Sequence, residues 1–171
     1  MAISFHDITV QVYQQFLKSL LGVLDKAEKH CSEKGVDPTT LLGARLFDDM
    51  QPLSFQVLMA INHSIGALAL IRGEQRARPS GLDSFAGCKT AVEQALTDLE
   101  AITPAMLEDA ATRNVELKFP GRELKFTGMG FLQSYAMPQF FFHVTTAYDI
   151  LRHKGVAIGK RDFLGRIQLI S

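Results

Sequence analysis

Apolar residues recur at steps of three and four over Phe5, Ile8, Val12, Phe16, Leu20, Val23 and Ala27, with Gln, Lys, Asp and Glu between them. This spacing predicts a long amphipathic first helix. Gly35 closes it, and Asp37-Pro38 supplies a cap and a first-turn proline for a short helical connector through Leu41 and Leu42. Asp48 or Asp49 caps a second helix, which carries Pro52 in its first turn and runs to about Ile71. Its apolar residues, Leu53, Phe55, Val57, Leu58, Met59, Ile61, Ile65 and Leu68, go most of the way round, as in a central helix, so His63 falls in a mostly buried element.

The stretch from Arg72 to Leu82 holds Arg72, Arg76, Arg78, Pro79 and two glycines, and reads as a loop able to reach across a bundle end. A third helix starts near a cap at Asp83 and ends near Glu100, with Phe85, Val92, Leu96 and Leu99 inward. Thr103-Pro104 starts one more short turn. The period then changes to two: Val115, Leu117 and Phe119, then Leu124 and Phe126, alternate with Glu and Lys on either side of Pro120-Gly121. Proline then glycine suits the centre of a type II turn, so this is a small β-hairpin that must lean on helices. Thr127-Gly128-Met129-Gly130 opens the last long helix as a threonine-capped turn; its glycines lack P-loop spacing for a phosphate.

That last helix, through Tyr135 to His153, carries the candidate chemistry. Leu132, Ala136, Gln139, His143, Ala147 and Ile150 fall at steps of four and three, so Gln139 and His143 lie about 40° apart on one apolar face. A buried amide and imidazole need hydrogen-bond partners or a metal, since an unsatisfied polar group costs roughly 1–3 kcal/mol. Past Gly155 an extended tail mixes charge with Phe163 and Leu164, which dock on the bundle.

Bulk properties narrow the function. A chain of 171 residues with no repeat or composition shift suits one domain, residues 1–171. Lys+Arg and Asp+Glu both count 18, so no overall field draws it to nucleic acid or an anionic membrane. Nucleic-acid binding through Arg72, Arg76 and Arg78 is the least favoured class. Cys31 and Cys88 lie far apart, which fits a reducing, cytoplasmic setting and suggests neither a disulfide framework nor a thiolate zinc site. No basic segment precedes an apolar run at Met1-Ala2-Ile3-Ser4, and the apolar stretch from Leu53 to Ile71 is broken by Asn62-His63-Ser64, so neither a signal peptide nor a membrane span is expected.

Secondary candidates have structural readings. His6, His30 and His153 lie near helix ends, where solvated positions are the default, and His30 and His153, at carboxyl ends, complement the dipole. Arg45, Asp48 and Asp49 are placed to pair with Arg152, Lys160 or Asp162 and fix the tail. Phe140-Phe141-Phe142 reads as core on one side and dimer or hairpin contact on the other, and Tyr148 points away from His143.

Four blocks carry a resemblance across nearly the whole chain: Leu24-Asp25-Lys26-Ala27; Ala44 through Leu53; Phe142-His143-Val144-Thr145-Thr146-Ala147-Tyr148-Asp149-Ile150-Leu151-Arg152-His153; and Gly159-Lys160-Arg161-Asp162-Phe163-Leu164-Gly165. In these the sequence resembles a group without an established activity within the DinB-like superfamily. The resemblance implies a mainly α fold: a DinB-like four-helix bundle with a crossover loop, a small β-hairpin before the last helix and an extended carboxyl-terminal tail. It further implies the superfamily's three-histidine divalent metal site, used by thiol-dependent transferases, isomerases and hydrolases. Position by position, His63 and His143 match two ligands, and Gln139 stands where the third histidine would be.

The expected pocket is thus His63, Gln139, His143 and Thr146, taking an unknown small molecule, with zinc, nickel or manganese on His63, His143 and Gln139 as the metal reading. An amide is a weak ligand beside imidazole, which leaves that set short. The contrasting reading is a non-catalytic homodimer in which His63 and His143 hydrogen-bond each other, Gln139 or Thr146 and only specify packing.

Overall fold

A computed structural model describes residues 3–167 and 169; Met1 and Ala2 of the amino-terminal stretch lie outside the described residues. The fold is mainly helical. Helix α1 spans Phe5–Lys34, opened by a capping box between Ser4 and Asp7 and closed by Gly35 at φ 64°. The short α2, Pro38–Leu42, is capped by Asp37. Helix α3, Leu53–Ile71, is the one described helix long and apolar enough to cross a membrane, and most of it is buried in the bundle. After a crossover loop, α4 spans Phe85–Glu100. A 3-10 turn at Pro104–Leu107 leads to β1, Asn114–Phe119, and β2, Arg122–Thr127, which pair antiparallel with Phe119 opposite Arg122. Helix α5 covers residues 128–153, and α6 is the short Lys160–Leu164.

The four long helices pack as a bundle in which α1 and α3 each lie against α4 and α5. Tyr13, Leu17 and Leu24 of α1, Leu53 and Ile61 of α3, Leu99 of α4 and Phe140 of α5 are completely buried. Tyr13 meets Phe140 edge-on with ring centroids 4.8 Å apart. The hairpin leans on α5 through Phe126, whose ring lies 5.7 Å from Phe131 and 6.2 Å from Tyr135. Gly121 at φ 72° supplies the left-handed position its turn needs.

Several start signals move. Pro52, not Asp48 or Asp49, is the N-cap of α3, because residues 47–50 close their own turn, Met50 N–H donating to the Phe47 carbonyl and Arg45 to that of Met50. Ser84, not Asp83, caps α4, its hydroxyl accepting from Gly87 N–H at 3.0 Å. The tail is fixed by other partners than expected. Lys26 holds Asp162 at 2.6 Å, Gln15 donates to the Leu164 carbonyl at 2.8 Å, and Phe163 packs against Phe16 and Tyr148.

Both helices that carry the candidate residues are interrupted. Asn62–Gly66 in α3 and Leu132–Ala136 in α5 are π turns, a distortion common at functional sites. In α5 the cause is chemical: Pro138 has no N–H for the carbonyl of Ser134, and the added residue relieves its ring. Ser64 and Ser134 back-bond to the carbonyls of Ala60 and Gly130, which recovers acceptors the distortions loosen.

Candidate functional site

The site forms where the two interrupted helices face each other. His63 rides on the π turn of α3 and His143 on the regular part of α5, and both are buried, at 6% and 7% exposure. Their rings lie 5.6 Å apart, centroid to centroid, and within 3° of parallel. They stack and do not hydrogen-bond each other. Tyr135, on the opposing π turn, brings its ring 5.8 Å from His63, while Phe55 and Phe142 approach His143 at 6.2 and 5.2 Å.

The amide that serves His143 is Gln56, a residue outside the pocket expected from the sequence. Gln56 is 2% exposed, its Nε2 donates to the Gln51 carbonyl at 2.8 Å, and its Oε1 lies 2.7 Å from His143 Nδ1. With Nε2 committed to a carbonyl, Oε1 must be the acceptor, so Nδ1 of His143 carries the proton and its Nε2 is left with a lone pair. A glutamine one heptad before His63, on a helix otherwise almost wholly apolar, is the signal that could have found it.

Gln139 sits at the edge of the buried arc of α5, half-buried, and makes no hydrogen bond among the described residues. Thr146 is buried at 5% exposure, without a hydrogen bond to either imidazole. The expected bonding of the histidines to Gln139 or Thr146 is therefore replaced by the Gln56 bond. His6 is not solvated: its Nε2 lies 3.0 Å from the Ile102 carbonyl. Phe140 is core, Phe141 packs on Phe16, and Phe142 is 53% exposed beside His143.

Burial lowers His143 to a pKa of about 4. Burial, then the neighbouring His143, then the positive charge of Arg78 from the crossover loop lower His63 to about 4 as well. Both rings are neutral at pH 7. The ring nitrogens of His63 and the Nε2 of His143 have no protein partner among the described residues, and none of them is a sealed, unsatisfied atom. They retain an edge toward solvent. Tyr13, Ser19 and Arg72 do carry sealed, unpartnered polar atoms, all outside this pair.

Neutral imidazoles are the form a metal needs, but the donor count falls short. Among the described residues no three His, Cys, Asp or Glu side chains gather as a metal site. Two imidazoles and a neutral amide lack the third strong ligand of a usual zinc or nickel site, and the Arg78 charge that disfavours an imidazolium at His63 also disfavours a divalent cation. The residues present do not fit a resident metal.

Comparisons with known proteins bear on the whole chain. The family model described as Domain of unknown function (DUF1993) matches residues 5–164. A crystal structure of a DinB family member protein from Shewanella denitrificans matches with a TM-score of 0.84 and 35% sequence identity, over 97% of this chain and 94% of that one. No curated protein matches this chain.

Proposed function

The chain belongs to the DUF1993 family of DinB-like proteins, and from that premise we propose that His63 and His143 form the polar head of a small-molecule pocket that works without a resident metal. One observation carries the reading: the two buried imidazoles are held in place yet left with unpartnered ring nitrogens at a solvent edge. Water can serve these nitrogens at that edge, and a ligand group that replaces it takes up hydrogen bonds that the protein leaves open. Here only the Nδ1 of His143 is saturated.

The chemistry on offer follows from the rings around the histidine pair. Phe55, Phe142 and Tyr135 offer aromatic contact to an apolar or planar body, and the Nε2 of His143 accepts from a ligand hydroxyl or amine. At a pKa of about 4 these rings are weak bases at pH 7, where general-base catalysis favours a pKa near the working pH. Their role is recognition and orientation. The unbridged, buried Cys31 and Cys88 suit a reducing, cytoplasmic setting.

Ligand-observed NMR with phenol-like and benzamide-like fragments tests the pocket. Fragments should bind the native protein and lose binding in His63→Ala and in His143→Ala, with circular dichroism unchanged. Fragments that ignore both substitutions would favour the second reading, a non-catalytic helical homodimer whose histidines are structural; the Gln56 bond to His143 is what speaks for it.

A further inference from the structure

A second site, independent of the histidine pocket, lies on another part of the surface. A groove of about 810 Å3 runs between α1 and the carboxyl-terminal segment that begins with α6. Lys18, Lys26, Arg161 and Arg166 line it, with Asp162 as the one carboxylate. In a chain whose acidic and basic residues balance at 18 each, this is a local concentration of positive charge.

The charges are unequally committed. Lys26 neutralises Asp162 at 2.6 Å, and the second carboxylate oxygen of Asp162 accepts from Gly159 N–H at 2.8 Å, so that carboxylate is used up inside the protein. Lys18 reaches Glu100 only at 3.9 Å, with both side chains about 60% exposed, a pairing worth little in water. Arg161 and Arg166 are exposed and have no carboxylate partner among the described residues. Beneath them, Ser19 also lines the groove; it is 6% exposed, and its hydroxyl is buried with no hydrogen-bond partner. That hydroxyl is sealed beneath Gly165, where an added Cβ would lie 2.2 Å from it, so it does not open to the groove, and the charges above it carry the site.

We propose that this groove binds a soluble, phosphate-bearing small molecule. Guanidinium forks match phosphate oxygens two at a time, and the Lys18 ammonium on the facing helix adds a point charge, so three cations remain after Lys26 is spent on Asp162. The volume accommodates a ligand of nucleotide size.

Amide chemical-shift titrations of the full chain with ADP and with inorganic pyrophosphate test this. Saturable shifts are expected at residues 14–26 and 159–167, weakening with added salt. Affinity should fall tenfold or more in Arg161→Gln/Arg166→Gln and severalfold in Lys18→Gln, and stay unchanged in His63→Ala. No saturable shift at millimolar probe, or equal affinity in the double variant, would overturn the proposal. So would binding confined to phosphatidylcholine vesicles containing phosphatidic acid, which would make the groove a membrane contact.

Discussion

Gln56 of α3 and His143 of α5 meet at 2.7 Å across the interface of the two π-distorted helices, and the bond fixes the tautomer of the imidazole. Because the amide nitrogen of Gln56 already serves the Gln51 carbonyl, His143 donates through Nδ1. Replacing Gln56 with Leu leaves that N–H buried and unpartnered. The substitution should destabilise the fold by roughly 1–3 kcal/mol in urea titrations and shift the His143 tautomer ratio in long-range 1H–15N spectra. An unchanged tautomer ratio would remove Gln56 from the site.

Acid should weaken the protein through the same pair. Both folded pKa values lie at about 4, below the ordinary 6.5, so between those values the unfolded chain binds more protons than the folded one. This contribution is complete above about pH 6.5 and is lost as pH falls toward 4. Urea midpoints at pH 7 and pH 5 should differ more for the native chain than for His63→Gln/His143→Gln; equal differences would contradict the depressed values.

Two glycines should respond with opposite signs. A Cβ on Gly128, at the start of α5, would lie 1.8 Å from the backbone oxygen of Ala110, so Gly128→Ala must push the helix off its seat. A loss of about 1–3 kcal/mol is expected, read as a fall of several degrees in Tm. The same contact explains why this glycine pair starts a helix: Gly128 is buried, and Thr127 accepts from Gly130 N–H at 3.1 Å. Gly22 lies inside α1, where an added methyl would meet nothing within 4 Å, and Gly22→Ala should gain about 0.4–1 kcal/mol.

The bundle is legible because its signals are local and repeated. Apolar spacing locates the long helices, the Pro120-Gly121 pair locates the hairpin turn, and the superfamily resemblance supplies the arrangement. Cap positions shift by one to a few residues, since Asp48, Asp49, Asp83 and Ser84 are all competent caps and the surrounding turns decide among them. The site is half legible. His63 and His143 stand out in the sequence and do come together. Gln139 shares the regular part of α5 with His143, so spacing along that helix singles it out, whereas Gln56 comes from the facing helix and is brought to His143 only by packing. A proline inside a long apolar helix is the cue that a distortion lies one turn before it.

The most direct test of a metal-independent pocket is elemental analysis by mass spectrometry of protein purified without an affinity tag or chelator, beside His63→Ala/His143→Ala. Zinc, nickel and manganese should all be well below one equivalent and equal in the two proteins. One equivalent of any of them in the native protein, lost in the double variant, would contradict the account and make Gln139 or a water the missing third ligand.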